Sequence, residues 1–215
     1  MGHSDGRSGR KVVAYIDGFN VYYGLKAKGW VDAKWLDYRA LMESFLLPDQ
    51  HLEAVRYFTA HIPGPEAALR RQVNYLKALE ARGGVDIVLG RMERRPFRCT
   101  ACGHNWKKPQ EKESDVNLAV ALLSDAYEGR VDEAWIICAD SDLIPAVRHV
   151  TARHDTKVVA LPPPGRRSDA LMSVATGSFH VSRREWRRCQ LPETVDGEFG
   201  SYSRPPEWLT PERPA

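Results

Sequence analysis

An α/β domain, with a central parallel sheet and helices on both of its faces, is what this sequence predicts. Three observations predict it. Short runs such as Val12–Ile16 and Ala134–Ala139 are apolar at consecutive positions, the pattern of a strand buried on both sides rather than half in water. These runs alternate with stretches of helical periodicity, and Gly or Pro marks several of the joints. A length of 215 residues fits one ordinary domain with short extensions and is enough to bury a substantial core.

In chain order, residues 1–10 are rich in Gly, Ser and Arg and are expected to be flexible. After the strand at Val12–Ile16 comes a turn over Asp17–Asn20, then a short helix at Val21–Lys28, stopped by Gly29. Residues 37–47 read as helical, with Leu41, Met42 and Phe45 on one side and Pro48 beyond the end. A second strand is expected at Ala54–Ala60. A long helix follows at Pro65–Ala81, with Pro65 suited to its first turn and Gly83–Gly84 just past its end. Val85–Leu89 is a third strand.

Residues 91–113 then break the alternation: they are basic, carry CTACGHNW and read as an inserted loop or hairpin. A helix opens at Ser114, with Val116, Ala119, Val120 and Leu123 at helical spacing. After the strand at Ala134–Ala139 come a helix at Asp142–Arg153, a strand at Lys157–Leu161, a short helix at Ser168–Ala175 and a small edge strand at Phe179–Val181. The main domain is thus expected over residues 11–181. Residues 182–215 are a basic and then Pro-rich tail, extended or disordered beyond Leu191.

An apolar share of 43% and a charged share of 27% describe a globular chain. The net charge of +3 is mild, but its distribution is uneven: cations gather in RRPFR, KK and RREWRR. No apolar run approaches the roughly 18–20 residues of a membrane span, and MGHSDGRSGRK lacks the apolar segment of a secretory signal. Four cysteines in a chain of this size do not make a disulfide scaffold. The expected setting is the cytoplasm, away from membranes.

The chemistry begins where two apolar strands end on carboxylates. KVVAYIDGFN stops at Asp17, and WIICADSDL stops at Asp140, with Asp142 opening the next helix. Right-handed crossovers between parallel strands put the loops at their carboxyl ends along one edge, where ligands bind in such sheets. Asp115, in the first turn of the helix from Ser114, is a fourth candidate. Each aspartate alone has a structural explanation as a turn former or a helix cap. Together they would repel one another unless a cation joins them, and Mg²⁺ or Mn²⁺ is the cation such oxygen ligands suit.

IDGFNVYYG, KESDVNLAVALLSDAY and WIICADSDLIPAV, in that order, resemble the NYN domain, a PIN-like nuclease group that includes the DUF88 proteins. The resemblance runs over roughly residues 11–181. It implies a PIN-like three-layer fold with a central parallel sheet and helices on both faces. It also implies a metal-dependent ribonuclease site whose acidic positions fall on Asp17, Asp115, Asp140 and Asp142, with Asn20 and Ser141 as polar helpers. One position departs from the pattern: Ala139 stands where the third motif usually has glycine. The implied reaction is hydrolysis of RNA, and a narrow acidic cleft favours an exposed single strand over a duplex. The alternatives are an RNA-binding or regulatory module on the same fold and a small-molecule phosphatase, the latter lacking the second aspartate of the usual nucleophile loop.

The remaining candidates are accessory. Cys99 and Cys102 offer half of a zinc site, the rest to come from His104 with a distant Cys or His, or from a second copy in a homodimer. Lys112, close to Asp115, is a phosphate contact. Arg94, Arg95, Arg98, Lys107, Lys108, Arg183, Arg184, Arg187 and Arg188, interleaved with Phe97 and Trp186, form a candidate nucleic-acid-binding track; arginine pairs with phosphates, and an exposed ring stacks on an unpaired base.

Overall fold

Strand β1 (Arg10–Asp17) is the spine of the protein, because its residues are buried on alternate sides by two separate cores. Val12, Ala14 and Ile16 belong to one core, Val13 and Tyr15 to the other. This is the double burial that an unbroken apolar run demands. The computed structural model describes residues 9–209. The expected flexible N-terminus lies almost wholly outside the described residues, as does the very end of the chain.

The remaining elements follow in order. Helix α1 (Gly18–Ala27), a 3₁₀ turn (Val31–Ala33), α2 (Tyr38–Glu43), β2 (Gln50–Thr59), α3 (Glu66–Arg82) and β3 (Asp86–Leu89) form the first half. An antiparallel hairpin, β4 (Arg91–Arg98) and β5 (Asn105–Lys112), precedes α4 (Ser114–Tyr127) and β6 (Glu133–Ile137). A 3₁₀ turn (Ser141–Leu143) runs into α5 (Ile144–Arg153), followed by β7 (Lys157–Ala160), α6 (Asp169–Val174) and β8 (Gly177–Ser178). Helix α7 (Arg183–Arg188), the hairpin β9 (Thr194–Gly197) and β10 (Gly200–Ser203), and a 3₁₀ turn (Pro206–Trp208) complete the described chain.

The main sheet is wholly parallel, in the order β3-β2-β1-β6-β7-β8. Helices cover both faces: residues of α1, α2, α3 and α7 enter one core, and residues of α4, α5 and α6 enter the other. The expected α/β architecture is thus observed. Residues 91–113 are the expected interruption, a β-hairpin whose strands pair from Arg91↔Lys112 to Arg98↔Asn105. Among the described residues no helix is long and apolar enough to cross a membrane.

Three expectations need correction. The segment beyond Leu191 is not an extended tail: β9 and β10 pack against α3, and Val195 and Trp208 are buried. Its apolar residues are too few to look like a core segment in sequence, yet Trp208 packs tilted against Trp35 and edge-on against Tyr75. The edge strand forms at Gly177–Ser178 rather than at Phe179–Val181, and Val181 is core. Finally, α2 ends at Glu43, short of Leu47.

One buried ion cluster fixes α4 to the sheet. Asp125 accepts from Tyr15 Oη (2.7 Å), Arg56 Nη2 (2.8 Å) and Arg130 Nε (3.0 Å). Its side chain is 1% exposed, so removing it leaves the buried Tyr15 hydroxyl and two partly exposed arginines without this acceptor. We expect Asp125→Ala to lower stability by about 3 kcal/mol, and Tyr15→Phe by about 1 kcal/mol, as read from urea unfolding midpoints.

Candidate active site at the carboxyl edge of the sheet

Asp17 ends β1 and caps α1. Its Oδ1 accepts from Asn20 N at 2.9 Å, and its Oδ2 accepts from the Asn20 side-chain amide. The helix starts immediately because Gly18 has no side chain: a Cβ there would lie 2.5 Å from the Tyr57 ring, which only glycine tolerates. The structural role foreseen for a lone aspartate is therefore filled, and Asn20 is its partner.

Register then delivers the second carboxylate. Ile16 pairs with Ile137 across β1 and β6, so both strands end at one edge. Cys138, the residue after β6, donates its thiol to Asp17 Oδ2 at 3.5 Å and accepts from Asp140 N at 3.2 Å through the same sulfur. Asp140 Oδ1 in turn accepts from Asp142 N at 3.0 Å, capping the 3₁₀ turn. Asp17, Cys138, Asp140 and Asp142 thus form one hydrogen-bonded chain. Asp17 and Asp140 are half-buried, while Asp142 and Ser141 are exposed.

Asp115 sits in the first turn of α4, a helix that packs against the Ser141–Leu143 turn. The junction before it is tight: Glu113 has φ 81°, in the left-handed region, and pairs with Arg91 at 2.6 Å. Gly90 allows the hairpin base to close, since a Cβ there would meet Lys112 O at 2.6 Å. Lys112 ends β5 two residues before α4 begins.

Burial raises the Asp17 carboxyl above its usual range, and hydrogen bonds from Asn20 and Cys138 pull against that rise. Burial, with the Asp17 charge next, pushes the Cys138 thiol far up, so it stays protonated and donates. Among the described residues, no group of three or more His, Cys, Asp and Glu side chains is close enough to enclose a metal ion. A Mg²⁺ ion needs less: one or two carboxylates, with waters and phosphate oxygens in the remaining positions. The Asp17 carboxylate and the Asp140 backbone N–H meet at one sulfur, so Asp17 and Asp140 are the residues that would hold such an ion, and a cation would offset the burial of Asp17.

The zinc candidate fits less well. Cys99 and Cys102 are free thiols at the tip of the β4–β5 hairpin. Cys99 N donates to His104 O at 2.8 Å, and the His104 ring stacks on Trp106. The thiols and the imidazole of one chain do not make a closed ligand set.

The basic segments separate in space as well as in sequence. The hairpin follows β3 and α7 follows β8, the two outer strands of the sheet. On the hairpin, Phe97 and Trp106 are cross-strand partners stacked at 5.9 Å and both exposed. Arg94, Arg95, Arg98 and Lys107 are exposed along the hairpin, and of these four Arg95 shares the face of the ring pair while the other three alternate to the opposite face; of the Lys108 side chain nothing is described. Trp186 is a correction: it is 1% exposed, a core residue with no face for a base. Arg183 and Arg187 are drawn to Asp32, at 3.8 and 2.7 Å, while Arg184 and Arg188 face solvent.

Sequence reasoning did not single out Cys138, whose sulfur meets two of the aspartates. The signal was present, because Cys138 lies two residues before Asp140 on a strand equal in character to β1. It also missed a second feature at this edge, on the opposite face of the sheet. There Gly18, Tyr22, Lys34, Tyr57 and Trp208 line a pocket. Those residues come from widely separated segments that nothing local connects.

Comparison with known proteins agrees with the architecture. The NYN domain family matches residues 11–183, and the chain belongs to that family, within the PIN-like nuclease superfamily. A curated relative, 6-hydroxy-3-succinoylpyridine 3-monooxygenase HspA of Pseudomonas putida (strain DSM 28022 / S16), is 30% identical over 90% of this chain and 74% of its own length. A crystal structure of a protein of unknown function from Vibrio parahaemolyticus RIMD 2210633 is similar in fold, with a TM-score of 0.53. It is 16% identical, over 85% of this chain and 97% of that one.

The raised Asp17 carboxyl has a consequence for stability. With a folded value above the unfolded one, the folded state holds its proton longer, so stability falls as pH rises through that window. Asp17→Asn keeps a capping side chain and removes the buried charge. Without divalent metal, the variant should equal or exceed the wild type in urea midpoint at pH 8, with the difference shrinking by pH 4. A variant less stable at pH 8 than at pH 4, relative to wild type, would contradict this.

Proposed function

We propose that this protein is a metal-dependent endoribonuclease that hydrolyses single-stranded RNA at the edge formed by Asp17, Asp115, Asp140 and Asp142. The observation that carries the reading is the pairing of β1 with β6, which brings Asp17 and Asp140 to opposite sides of one sulfur. A Mg²⁺ or Mn²⁺ ion held by Asp17 and Asp140 would activate water and neutralise charge on the phosphate. Asp142, exposed and anchored only through its backbone N–H, would orient the attacking water. Asp115, in the first turn of α4, would add a further carboxylate to the site. Lys112 would hold the phosphate entering the site.

On the hairpin, the exposed Phe97–Trp106 stack would carry an unpaired base, and Arg94, Arg95, Arg98 and Lys107 would bind the backbone. A narrow edge between two strand ends favours an unpaired strand over a duplex. In-line attack would leave a 5′-phosphate and a 3′-hydroxyl. The RNA-binding module without cleavage is opposed by the presence of all four aspartates. Cytoplasmic location and a homodimer completing zinc sites through Cys99 and Cys102 belong to this proposal.

Mn²⁺-dependent cleavage of an end-labelled single-stranded RNA tests it. Asp17→Asn and Asp140→Asn should each lower the rate at least about 100-fold, consistent with loss of a metal-ion contribution worth several kcal/mol. Activity unchanged in both variants removes the site. Arg94→Ala with Arg98→Ala should flatten the salt dependence of RNA binding by about two phosphate contacts.

The monooxygenase relative favours a second reading, in which the fold serves a small pyridine substrate instead. A monooxygenase places one oxygen atom of O₂ in its substrate and needs two electrons from a donor. Incubating the protein with 6-hydroxy-3-succinoylpyridine, O₂ and a reduced nicotinamide or flavin donor distinguishes the two. Substrate loss matched by O₂ uptake supports this reading, and none of either ends it.

A further inference from the structure

Helix α1 leads away from Asp17 with two rings on one face. Phe19 and Tyr23 stand four residues apart, neighbours on a helix surface, and stack at 6.1 Å with 15° between their planes. Tyr23 is 43% exposed, so its ring is open to a partner from solvent.

A loop from the same sheet edge closes on this pair. Strand β7 ends level with β6, since Leu161 N donates to Ile136 O at 2.8 Å, and residues 162–167 follow directly. The loop rests on α1, where Pro164 O lies too close to Gly24 for any side chain there. Arg166 N donates to Pro163 O at 3.1 Å, and the Arg166 guanidinium lies 6.0 Å from the centre of the Tyr23 ring. Among the described residues Arg166 has no carboxylate partner, so an aromatic face alone holds its charge.

The far end of α1 repeats the arrangement. Helix α7 packs on the Val31–Ala33 turn, with Arg183 5.5 Å from the centre of the Trp30 ring. Lys26 and Lys28 lie between Tyr23 and Trp30 in the chain and are exposed; Lys26, three residues from Tyr23, shares its face. Over residues 18–33, 162–169 and 182–188 there are eight cations against three acids. That excess is larger than the chain's net charge of +3, so the rest of the chain is acidic on balance.

Cations interleaved with rings suit a single-stranded polyanion, whose phosphates pair with the charges while unpaired bases stack on the rings. With 10 residues, α1 is about 15 Å long, and it starts at a carboxylate. In strand order, the ends of β1 and β6 lie between the hairpin that follows β3 and this loop, which follows β7.

We infer that single-stranded RNA runs from the carboxylate edge along the outer face of α1, with an unpaired base on Tyr23 and phosphates at Arg166 and Lys26. The inference takes its polymer from the nuclease reading and adds a path that the hairpin does not supply. Binding is measured on the full chain by fluorescence anisotropy of a labelled oligouridylate, with EDTA present so that nothing is cleaved. Inorganic polyphosphate, which has the charge without the bases, is the second probe.

Tyr23→Ser is expected to weaken oligouridylate binding about tenfold, the loss of one base stack. Tyr23→Phe keeps the ring and should stay within about twofold of wild type. Arg166→Gln should weaken binding about threefold and lower the salt slope by about 0.7, one single-strand phosphate contact. Polyphosphate should bind wild type and Tyr23→Ser alike. The inference is overturned if wild type shows no saturable RNA binding, or if either Tyr23→Ser or Arg166→Gln binds RNA as wild type does. It is also overturned if Tyr23→Phe loses as much as Tyr23→Ser, or if polyphosphate binding falls equally in Tyr23→Ser. RNA held through Tyr23 with no Mn²⁺-dependent cleavage sinks the nuclease reading alone. Cleavage by a wild type whose RNA binding ignores Tyr23 sinks this path alone.

Discussion

The pairing of β1 with β6 is the constraint on which the rest depends. Both strands are central, parallel and buried on their two faces, so neither can slide by one residue without turning its whole apolar set to the wrong side. That register sets Asp17 level with Cys138, and Asp140 follows. The carboxylates are held by the core beneath them more than by bonds to each other. The hydrogen bonds through Cys138 then only refine a placement that the sheet has already imposed.

The buried charge of Asp17 and the ion cluster of Asp125 show two ways of handling an acid inside a fold. Asp125 is surrounded by donors, two of them arginines, and contributes to stability. Asp17 has an amide, a backbone N–H and a neutral thiol, which leaves its carboxyl raised by burial. An arrangement of the second kind is unfavourable as structure alone and is typical of sites that receive a ligand.

Much of this was legible in the sequence because it depends on local pattern. The uniform apolar runs at Val12–Ile16 and Ala134–Ala139 identify buried strands, and their abrupt ends identify the edge. The basic insertion announces itself by breaking the alternation. What escaped depends on distance. Trp186 looked like a stacking residue because arginines flank it, yet a six-residue helix buries one side and leaves its neighbours outside. Trp208 sits in a Pro-rich stretch that carries no periodicity, and only tertiary packing shows it against Trp35 and Tyr75. The pocket near Lys34 has no motif, since its walls come from α1, α2, β2, α3 and the final 3₁₀ turn.

The contact of Tyr57 with Gly18 joins these separate observations. The phenol ring occupies the space a methyl group would need, so the first residue of α1 rests directly on β2. Asp17 precedes that residue, and the ring also faces the pocket. Any tilt of the helix must therefore shift carboxylate and aromatic wall in concert, which makes one mechanical unit of two chemically unlike surfaces.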